Sequence, residues 1–212
     1  MGFEMRGAGD DQGKWKIFID GEEKPAGHLA LVHETYGKVE WGLRPKGYAG
    51  WVFHEPGGGG SVTIPYTKNP EGELMLALIL ENRPNMNGDH WCVIGGYLTP
   101  GESHQQTAER ETEEEAGLVF SKPAPLPGLP GNANRAIWVA DPNKDEGVHA
   151  FAIEIPWTLI EKAENESYKM APGTLNDKRE SQMRFFPWKD AIQRSPDMLA
   201  RGAIAQLLTV LL

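Results

Sequence analysis

Alternating hydrophobic and polar positions predict a β-rich beginning of the chain. A period of two residues predicts extended segments at Trp15–Ile19, His28–His33, Val39–Gly42 and Gly50–Phe53. Four consecutive glycines at positions 57–60 break this pattern, and we expect a hinge, a flexible linker or a loop of close backbone approach there. A phosphate-cradling loop is the alternative, although the lysine of a P-loop is missing. We therefore assign residues 1–60 to a β-rich N-terminal extension and residues 61–212 to a second domain.

The second domain combines short strands with a few helices. Hydrophobic runs predict strands at Ser61–Tyr66, Glu73–Glu81, Trp91–Ile94, Arg135–Ala140 and Val148–Ile155. Helices are predicted at Ser103–Ala116, from Trp157, around Lys189–Gln193 and at Pro196–Leu212. The first helix begins at a capping box of Ser103 and Gln106 and ends at Gly117. We expect Ser195 to cap the last helix, with Pro196 in its first turn.

Charge and composition narrow the choice of partners. The chain carries 21 Lys and Arg against 30 Asp and Glu, and this net charge of −9 disfavours binding to nucleic acid or to an anionic membrane. No apolar run approaches the roughly 20 residues that span a bilayer, and the N-terminus does not resemble a signal peptide. We therefore expect a cytoplasmic protein. The single cysteine, Cys92, is expected in the core.

A cluster of glutamates lies on the helix predicted at Ser103–Ala116. Glu111, Glu114 and Glu115 share one face because positions i, i+3 and i+4 coincide on a helix, whereas Glu113 points away. Two carboxylates about 5 Å apart repel by roughly 3 kcal/mol at an effective dielectric constant near 20. Arg110 cannot neutralise all of them. A solvated surface or a divalent metal site would each explain the cluster.

The spacing of the surrounding residues distinguishes these two explanations. The pattern G-x5-E-x7-R-E-U-x-E-E-x-G-U, in which U is aliphatic, is followed by Gly96, Glu102, Arg110, Glu111, Glu114, Glu115, Gly117 and Leu118. By this motif the chain resembles the Nudix hydrolase family, and Thr112 in place of an aliphatic residue is the one departure. The resemblance implies an α/β/α sandwich with a mixed sheet, in which a loop, a helix and a second loop present the motif.

The resemblance also implies a magnesium site. Glu111 and Glu115 correspond to the family's main metal ligands, Glu114 to a catalytic residue that binds metal directly or through water, and Gly96 to a carbonyl ligand. Mg²⁺, with Mn²⁺ as the alternative, suits such a set because hard cations prefer oxygen ligands. Bound metal can activate water and stabilise the charge that develops on the bridging oxygen of a diphosphate.

Two further residues of the motif complete this expected site. Arg110 is expected to orient the carboxylates. Glu102 matches a position that either binds metal or pairs with Arg110. The expected reaction is hydrolysis at phosphorus without a covalent intermediate.

Residues outside the motif are expected to select the substrate. Leu80-Glu81-Asn82-Arg83 looks like the Q-x-R element of ADP-ribose and ADP-sugar pyrophosphatases, with Glu81 in place of glutamine. Arg83 is then a candidate phosphate contact, and a simply solvated arginine is the alternative. Those enzymes also have a β-rich extension that builds a homodimer, which we expect here. The favoured substrate is ADP-ribose or an ADP-sugar; nucleoside triphosphates, dinucleoside polyphosphates and a noncatalytic nucleotide sensor are the alternatives.

A general base is expected in a loop after the motif. Asp145-Glu146-Gly147 lies between two predicted strands, and Glu146 is the first candidate if it reaches a metal-bound water. A polar hairpin tip is the alternative explanation of this segment. Glu154 and the segment Glu164–Glu180 are further candidates.

Overall fold

The structure is a computed structural model, and the chain divides into two compact units, residues 1–56 and 57–212. The structure describes residues 17–24, 29–33, 37–43, 49–54, 59–119, 121–128, 136–141, 146–165, 167–175 and 183–212. In these ranges, no helix combines the length and the apolar character needed to span a membrane.

The described part of the first unit consists of a hairpin and a three-stranded antiparallel sheet. Asp20 and Gly21 connect the hairpin with φ angles of 52° and 80°, the left-handed conformation that tight two-residue hairpin turns require. The predicted extended segments are confirmed where they are described. The strands are β1 (Ile17–Ile19), β2 (Glu22–Lys24), β3 (Leu29–His33), β4 (Gly37–Leu43) and β5 (Ala49–His54).

The second unit is built on a mixed sheet. Its strands are β6 (Gly59–Lys68), β7 (Leu74–Arg83), β8 (Gly88–Cys92), β9 (Ile94–Tyr97), β10 (Ala124–Pro125), β11 (Ala136–Asp141), β12 (Glu146–Glu154), β13 (Ile160–Lys162), β14 (Tyr168–Met170) and β15 (Arg184–Pro187). The order along the sheet is β10-β12-β6-β7-β15-β14-β13, and β8, β9 and β11 pair with β7, β6 and β12. Strands β6 and β12 run parallel, whereas the other described pairs are antiparallel.

Helices cover both faces of this sheet. They are α1 (His104–Ala116), α2 (Trp188–Arg194) and α3 (Met198–Leu211). Side chains of β7 alternate between the faces: Leu76 and Leu78 belong to the core beneath α2 and α3, and Ala77 and Ile79 belong to the core that includes Ala116 at the end of α1. This arrangement confirms the predicted α/β/α sandwich.

The glycine run does not lie wholly outside regular structure, contrary to our expectation. Gly59 and Gly60 form the start of β6, between β12 and β9. A Cβ atom on Gly59 would lie 1.8 Å from the carbonyl oxygen of Gly147, and one on Gly60 would lie 3.0 Å from that of Gly96. The two glycines therefore permit a close approach of backbones at the centre of the sheet. Of the explanations that we considered for the glycine run, close backbone approach is the one that fits Gly59 and Gly60.

The predicted cap of the C-terminal helix is wrong. Ser195 instead ends α2, because its backbone N–H donates to the Ala191 carbonyl at 3.2 Å. Asp197 caps α3, and its Oδ1 accepts from the N–H of Leu199 at 2.9 Å. Serine and aspartate are equally good N-caps, so the pattern of residue types could not decide between positions 195 and 197.

Two predictions of strands also need correction. The single strand predicted at Trp91–Ile94 is the junction of β8 and β9, which pair with different neighbours on either side of Val93. We also did not predict β13, β14 and β15, which have three or four residues each; β13 pairs with β14, β14 with β15, and β15 with β7.

Candidate active site

Helix α1 is fixed at both ends by local contacts. The Ser103 hydroxyl accepts from the N–H of Gln106 at 3.3 Å, and the Gln106 side chain accepts from the N–H of Ser103 at 2.9 Å, as the capping box predicts. Gly117 ends the helix with a φ of 66°. A stripe of small residues, Ala108, Thr112 and Ala116, is buried. The edge of the helix beside this stripe therefore carries Glu111 and Glu115 at a defined rotation.

We use the name glutamate cluster for Glu102, Glu111, Glu114 and Glu115. Glu111 lies over the backbone of Gly96, because a Cβ atom on Gly96 would be 2.0 Å from Oε1 of Glu111. Glu115 accepts from the N–H of Gly95 through Oε2 at 2.9 Å. Two neighbouring carboxylates of α1 thus contact two consecutive glycines of β9. A larger residue at Gly96 would displace the carboxylate of Glu111.

Arg110 joins three members of the glutamate cluster. Its Nε and Nη2 donate to the two carboxylate oxygens of Glu102 at 2.9 and 3.1 Å. Its Nη1 donates to Glu111 at 2.6 Å and to Glu114 at 3.2 Å, and Nη2 also donates to the Tyr97 carbonyl at 3.1 Å. One guanidinium therefore faces three carboxylates and fixes their separation.

Glu102 is the member of the cluster most strongly held as an anion. Besides Arg110, it accepts from the N–H of Thr99 at 3.1 Å and from the hydroxyl of Thr107 at 2.9 Å. The hydrogen bonds from Arg110, which outweigh the effect of burial, lower the pKa of Glu102 to about 2. Of the two roles expected for Glu102, these contacts favour pairing with Arg110.

Glu111 and Glu115 experience the opposite electrostatic environment. Burial raises the pKa of Glu115 to about 7, and the charges of Glu81 and Glu111 add to this effect. Burial also raises the pKa of Glu111, although Arg110 opposes the shift. Burial therefore disfavours the ionised forms of these two carboxylates more than the neighbouring arginines favour them.

These observations test whether the cluster suits a metal ion. In the part of the chain that the structure describes, no three Asp, Glu, His or Cys side chains converge closely enough to form a ready cage. The donor chemistry nevertheless fits Mg²⁺ or Mn²⁺, because Glu111 and Glu115 offer hard carboxylate oxygens whose charge is under-compensated. Glu114 has a half-exposed side chain, 57% accessible, so it can reorient toward a ligand.

Arg83 and Glu81 lie on the same face of β7 as Ile79, toward the end of α1. Arg83 is not simply solvated, because its Nη2 forms an ion pair with Oε2 of Glu81 at 2.5 Å. Glu81 acts electrostatically on Glu115, which places this pair beside the glutamate cluster. We did not predict a role for Glu81; the change along β7 from apolar residues to charged ones after Ile79 is the signal that could have indicated it.

The candidates for a general base are only partly described. Glu146 is the first residue of β12, but its side chain and all of Asp145 lie outside the described residues. Gly147 pairs with Gly59, and the adjacent Gly60 pairs with Tyr97, so the start of β12 lies at the same end of the sheet as the cluster.

Glu154 lies at the other end of β12. It pairs with Tyr66, five positions along β6 from Ser61, and at roughly 3.3 Å per residue this separation exceeds 15 Å. Its carboxylate accepts from the Tyr66 hydroxyl at 3.5 Å. Of the segment Glu164–Glu180, residues 166 and 176–180 are outside the described part. The register therefore favours Glu146 over Glu154 by position alone.

A histidine pair that the sequence did not indicate holds the start of α1 against the sheet. The rings of His104 and His149 stack with their centroids 3.6 Å apart. The Nδ1 atom of His104 is 2.9 Å from the Gly60 carbonyl oxygen, and the Ser61 hydroxyl donates to the His104 carbonyl at 2.8 Å. These contacts position α1 relative to β6 and β12.

Comparison with known proteins adds three findings. Residues 59–207, more than half of the chain, match a family model described as NUDIX domain. A stretch of 49 residues is 41% identical to an asymmetrical bis(5'-nucleosyl)-tetraphosphatase of Sus scrofa; it covers 23% of this chain and only about a third (33%) of that protein.

Two solved structures are also similar to the chain. A mutT/nudix family protein from Listeria innocua shares 24% identity, with 74% of this chain and 96% of that chain covered and a TM-score of 0.48. An Ap4A hydrolase of C. elegans shares 16% identity, with coverage of 73% and 98% and a TM-score of 0.43. The match over residues 59–207 is the finding that decides the family.

Proposed function

Because the chain belongs to the Nudix family, we propose that it hydrolyses the pyrophosphate bond of a nucleoside diphosphate linked to another moiety. The observation that carries this proposal is the pair of neighbouring carboxylates, Glu111 and Glu115, that contact the backbone of Gly96 and Gly95. Glu111 and Glu115 meet consecutive residues of β9 and have raised pKa values, so they favour a cation between them and a diphosphate.

Each residue of the cluster receives a proposed role from its contacts. Glu111 and Glu115 would be the main metal ligands, with the Gly96 carbonyl beside them and Glu114 as a mobile further ligand. Bound Mg²⁺ or Mn²⁺ would neutralise phosphate oxygens and supply an activated water. Arg110 would position Glu111 and Glu114, and Glu102 would hold Arg110 through its two-point contact.

Two residues outside the cluster have proposed roles toward substrate and water. Arg83 is half exposed, and its guanidinium could exchange the single carboxylate of Glu81 for a phosphate, which a planar fork of donors binds in two places. Glu146 remains the proposed general base, on the basis of the register of β12. A carboxylate there would accept the proton of the attacking water.

The second half of the substrate has two candidates. Arg83, in a segment like the Q-x-R element, supports ADP-ribose or an ADP-sugar. The 41% identity to a bis(5'-nucleosyl)-tetraphosphatase supports a dinucleoside polyphosphate. A noncatalytic nucleotide sensor is disfavoured, because all glutamates of the motif are present. We also propose a cytoplasmic enzyme in which the β-rich N-terminal extension, residues 1–60, forms a homodimer contact.

The test compares two neighbouring glutamates of α1. Glu115→Gln should lower kcat on the order of 100-fold or more with saturating Mg²⁺, because it removes one anionic ligand of the metal ion that would stabilise the developing charge. Glu113→Gln is the matched control, since Glu113 is exposed on the opposite side of the same turn, and its activity should stay within about twofold of wild type.

The substrates for this comparison are ADP-ribose, diadenosine tetraphosphate and ATP, with product identification by chromatography. Near-normal turnover by the Glu115→Gln variant would refute the site. Hydrolysis of ATP alone, with neither linked nucleotide cleaved, would refute the proposed substrate class while leaving the site intact.

A further inference from the structure

A cavity of about 970 Å³ opens on the face of the β7–β8 pair that is opposite the glutamate cluster. Leu80 and Trp91, which pair across these strands, line it. Side chains alternate along a strand, so Leu80 faces away from its neighbours Glu81 and Ile79. The cavity is therefore separate from the surface that carries Arg83 and Glu115.

Four basic side chains from four different elements line this cavity. They are Lys162 of β13, Lys169 of β14, Arg184 of β15 and Arg194 at the end of α2. Two acidic residues, Asp89 and Glu164, also line it. Positive charge thus predominates here although the whole chain has a net charge of −9. Such a local reversal of sign raises the concentration of anions at the cavity.

Some of these charged side chains already have partners within the protein, and these partners limit which of them can bind a ligand. Lys169 forms an ion pair with Glu161 at 3.2 Å, and one oxygen of Asp89 accepts from the side-chain amide of Asn82 at 2.9 Å. Lys162 is exposed and has no ion-pair partner among the residues that the structure describes. Lys162 is consequently the side chain most available to an anionic ligand.

Aromatic rings lie next to this basic lining. Trp91 meets Phe186 edge to face, with ring centroids 5.0 Å apart and an interplanar angle of 76°. The Arg194 guanidinium lies over the Phe186 ring, 4.7 Å from its centroid, and is held at the cavity by that contact. Trp91 is only half buried, so part of its surface remains for a flat ring to contact.

We propose that this cavity binds a nucleotide, with its phosphates on Lys162 and Arg194 and its base against Trp91. Its volume lies within the range of small-molecule sites, and the combination of basic groups with an accessible aromatic ring matches the chemistry of a nucleotide. The proposal does not depend on the proposed hydrolysis, since none of these side chains belongs to the glutamate cluster.

The experiment is calorimetric titration of the full chain with ADP in EDTA, where binding through a metal at the glutamate cluster is excluded. Lys162→Glu and Arg194→Gln should each weaken ADP binding about tenfold, the loss expected for one charge-assisted contact. Lys68→Glu is the matched control, because Lys68 is an exposed lysine at the end of β6 outside the cavity, and it should bind like wild type. Glu111→Gln should retain ADP binding.

The possible outcomes decide the proposal. Binding of ADP that Lys162→Glu and Arg194→Gln leave unchanged would overturn it, as would equal binding of adenosine or no binding of ADP to the folded wild-type chain. If Lys162→Glu raises KM for diadenosine tetraphosphate at constant kcat, the bound nucleotide is part of the substrate. If Lys162→Glu weakens ADP binding but leaves KM for diadenosine tetraphosphate unchanged, the cavity binds a free nucleotide that is not part of the substrate. The ADP titration decides the proposal even if the chain hydrolyses none of the substrates.

Discussion

Replacing Gly96 with alanine should displace Glu111 and thereby remove most of the activity. The added Cβ atom would lie 2.0 Å from Oε1 and 2.4 Å from Cδ of Glu111. Ordinary contact requires about 3.4 Å, so the carboxylate must move by about 1.4 Å. A misplacement of about 1 Å at a reacting centre can lower the rate roughly 100-fold. We expect a comparable loss in kcat at saturating Mg²⁺, and weaker activation by Mg²⁺.

The stability of the Gly96→Ala variant should change much less than its activity. The displaced carboxylate loses only one of the ion pairs of Arg110, which keeps its contacts with Glu102 and Glu114, so we expect a loss of about 1 kcal/mol in the free energy of unfolding. For a chain of this length the expected fall in Tm is at most about 4 °C. Circular dichroism and thermal melting of the metal-free protein therefore separate a local displacement from a failure to fold.

The matched control for this prediction is Gly101→Ala, in the loop that connects β9 to α1. Gly101 has a φ of 91°, so alanine is strained there, but no atom lies within 4 Å of its Cβ position. Its activity should fall by far less than that of Gly96→Ala. In addition, Glu111→Ala combined with Gly96→Ala should be no worse than Glu111→Ala alone, because both act on one carboxylate. Activity of Gly96→Ala within threefold of wild type would refute the placement of Glu111.

Two further predictions concern stability. Thr112→Val should stabilise the protein by about 1 kcal/mol in urea unfolding, because the buried Thr112 hydroxyl has no hydrogen-bond partner among the described residues. Thr107→Val removes a hydrogen bond to Glu102 and should instead destabilise the protein by about 1–2 kcal/mol. Equal effects of the two substitutions on the free energy of unfolding would contradict this reasoning. Glu115, whose pKa rises from 4.5 in the unfolded chain to about 7, binds its proton more tightly when folded, so its contribution is fully present below pH 4.5 and is lost as pH rises to 7. Metal-free protein should lose up to roughly 3 kcal/mol over this range; Glu115→Gln should abolish the loss, and Mg²⁺ should offset it at pH 8, whereas an unchanged profile in Glu115→Gln would assign it to another group.

The features of the site that depend on neighbouring residues were predictable from the sequence. The capping box at Ser103, the stop at Gly117 and the buried side of α1 all follow from side chains three or four positions apart. The motif around these residues also implied the α/β/α sandwich. Local rules were sufficient there because one helix carries most of the cluster.

The features that depend on tertiary contacts were not predictable. Nothing in the sequence indicated that Glu115 would accept from the Gly95 N–H or that Glu81 would pair with Arg83. The basic cavity was equally hidden, since the pairing of short strands brings residues 162, 169 and 184 together and helix α2 adds residue 194. The placement of a cap at Asp197 depended on where α2 ended, which was not evident from residue types.

The parallel pairing of β6 with β12 has a consequence for how the chain folds. Gly59 pairs with Gly147, so 88 positions of sequence separate two strands that lie side by side. Contacts of such long range slow folding, because the entropy of closing the intervening loop is lost before the contacts form. The β6–β9–α1 segment has contacts over much shorter range and can form first. During synthesis, the glutamates of α1 would then be in place before β12, which begins at Glu146, is made and pairs with β6.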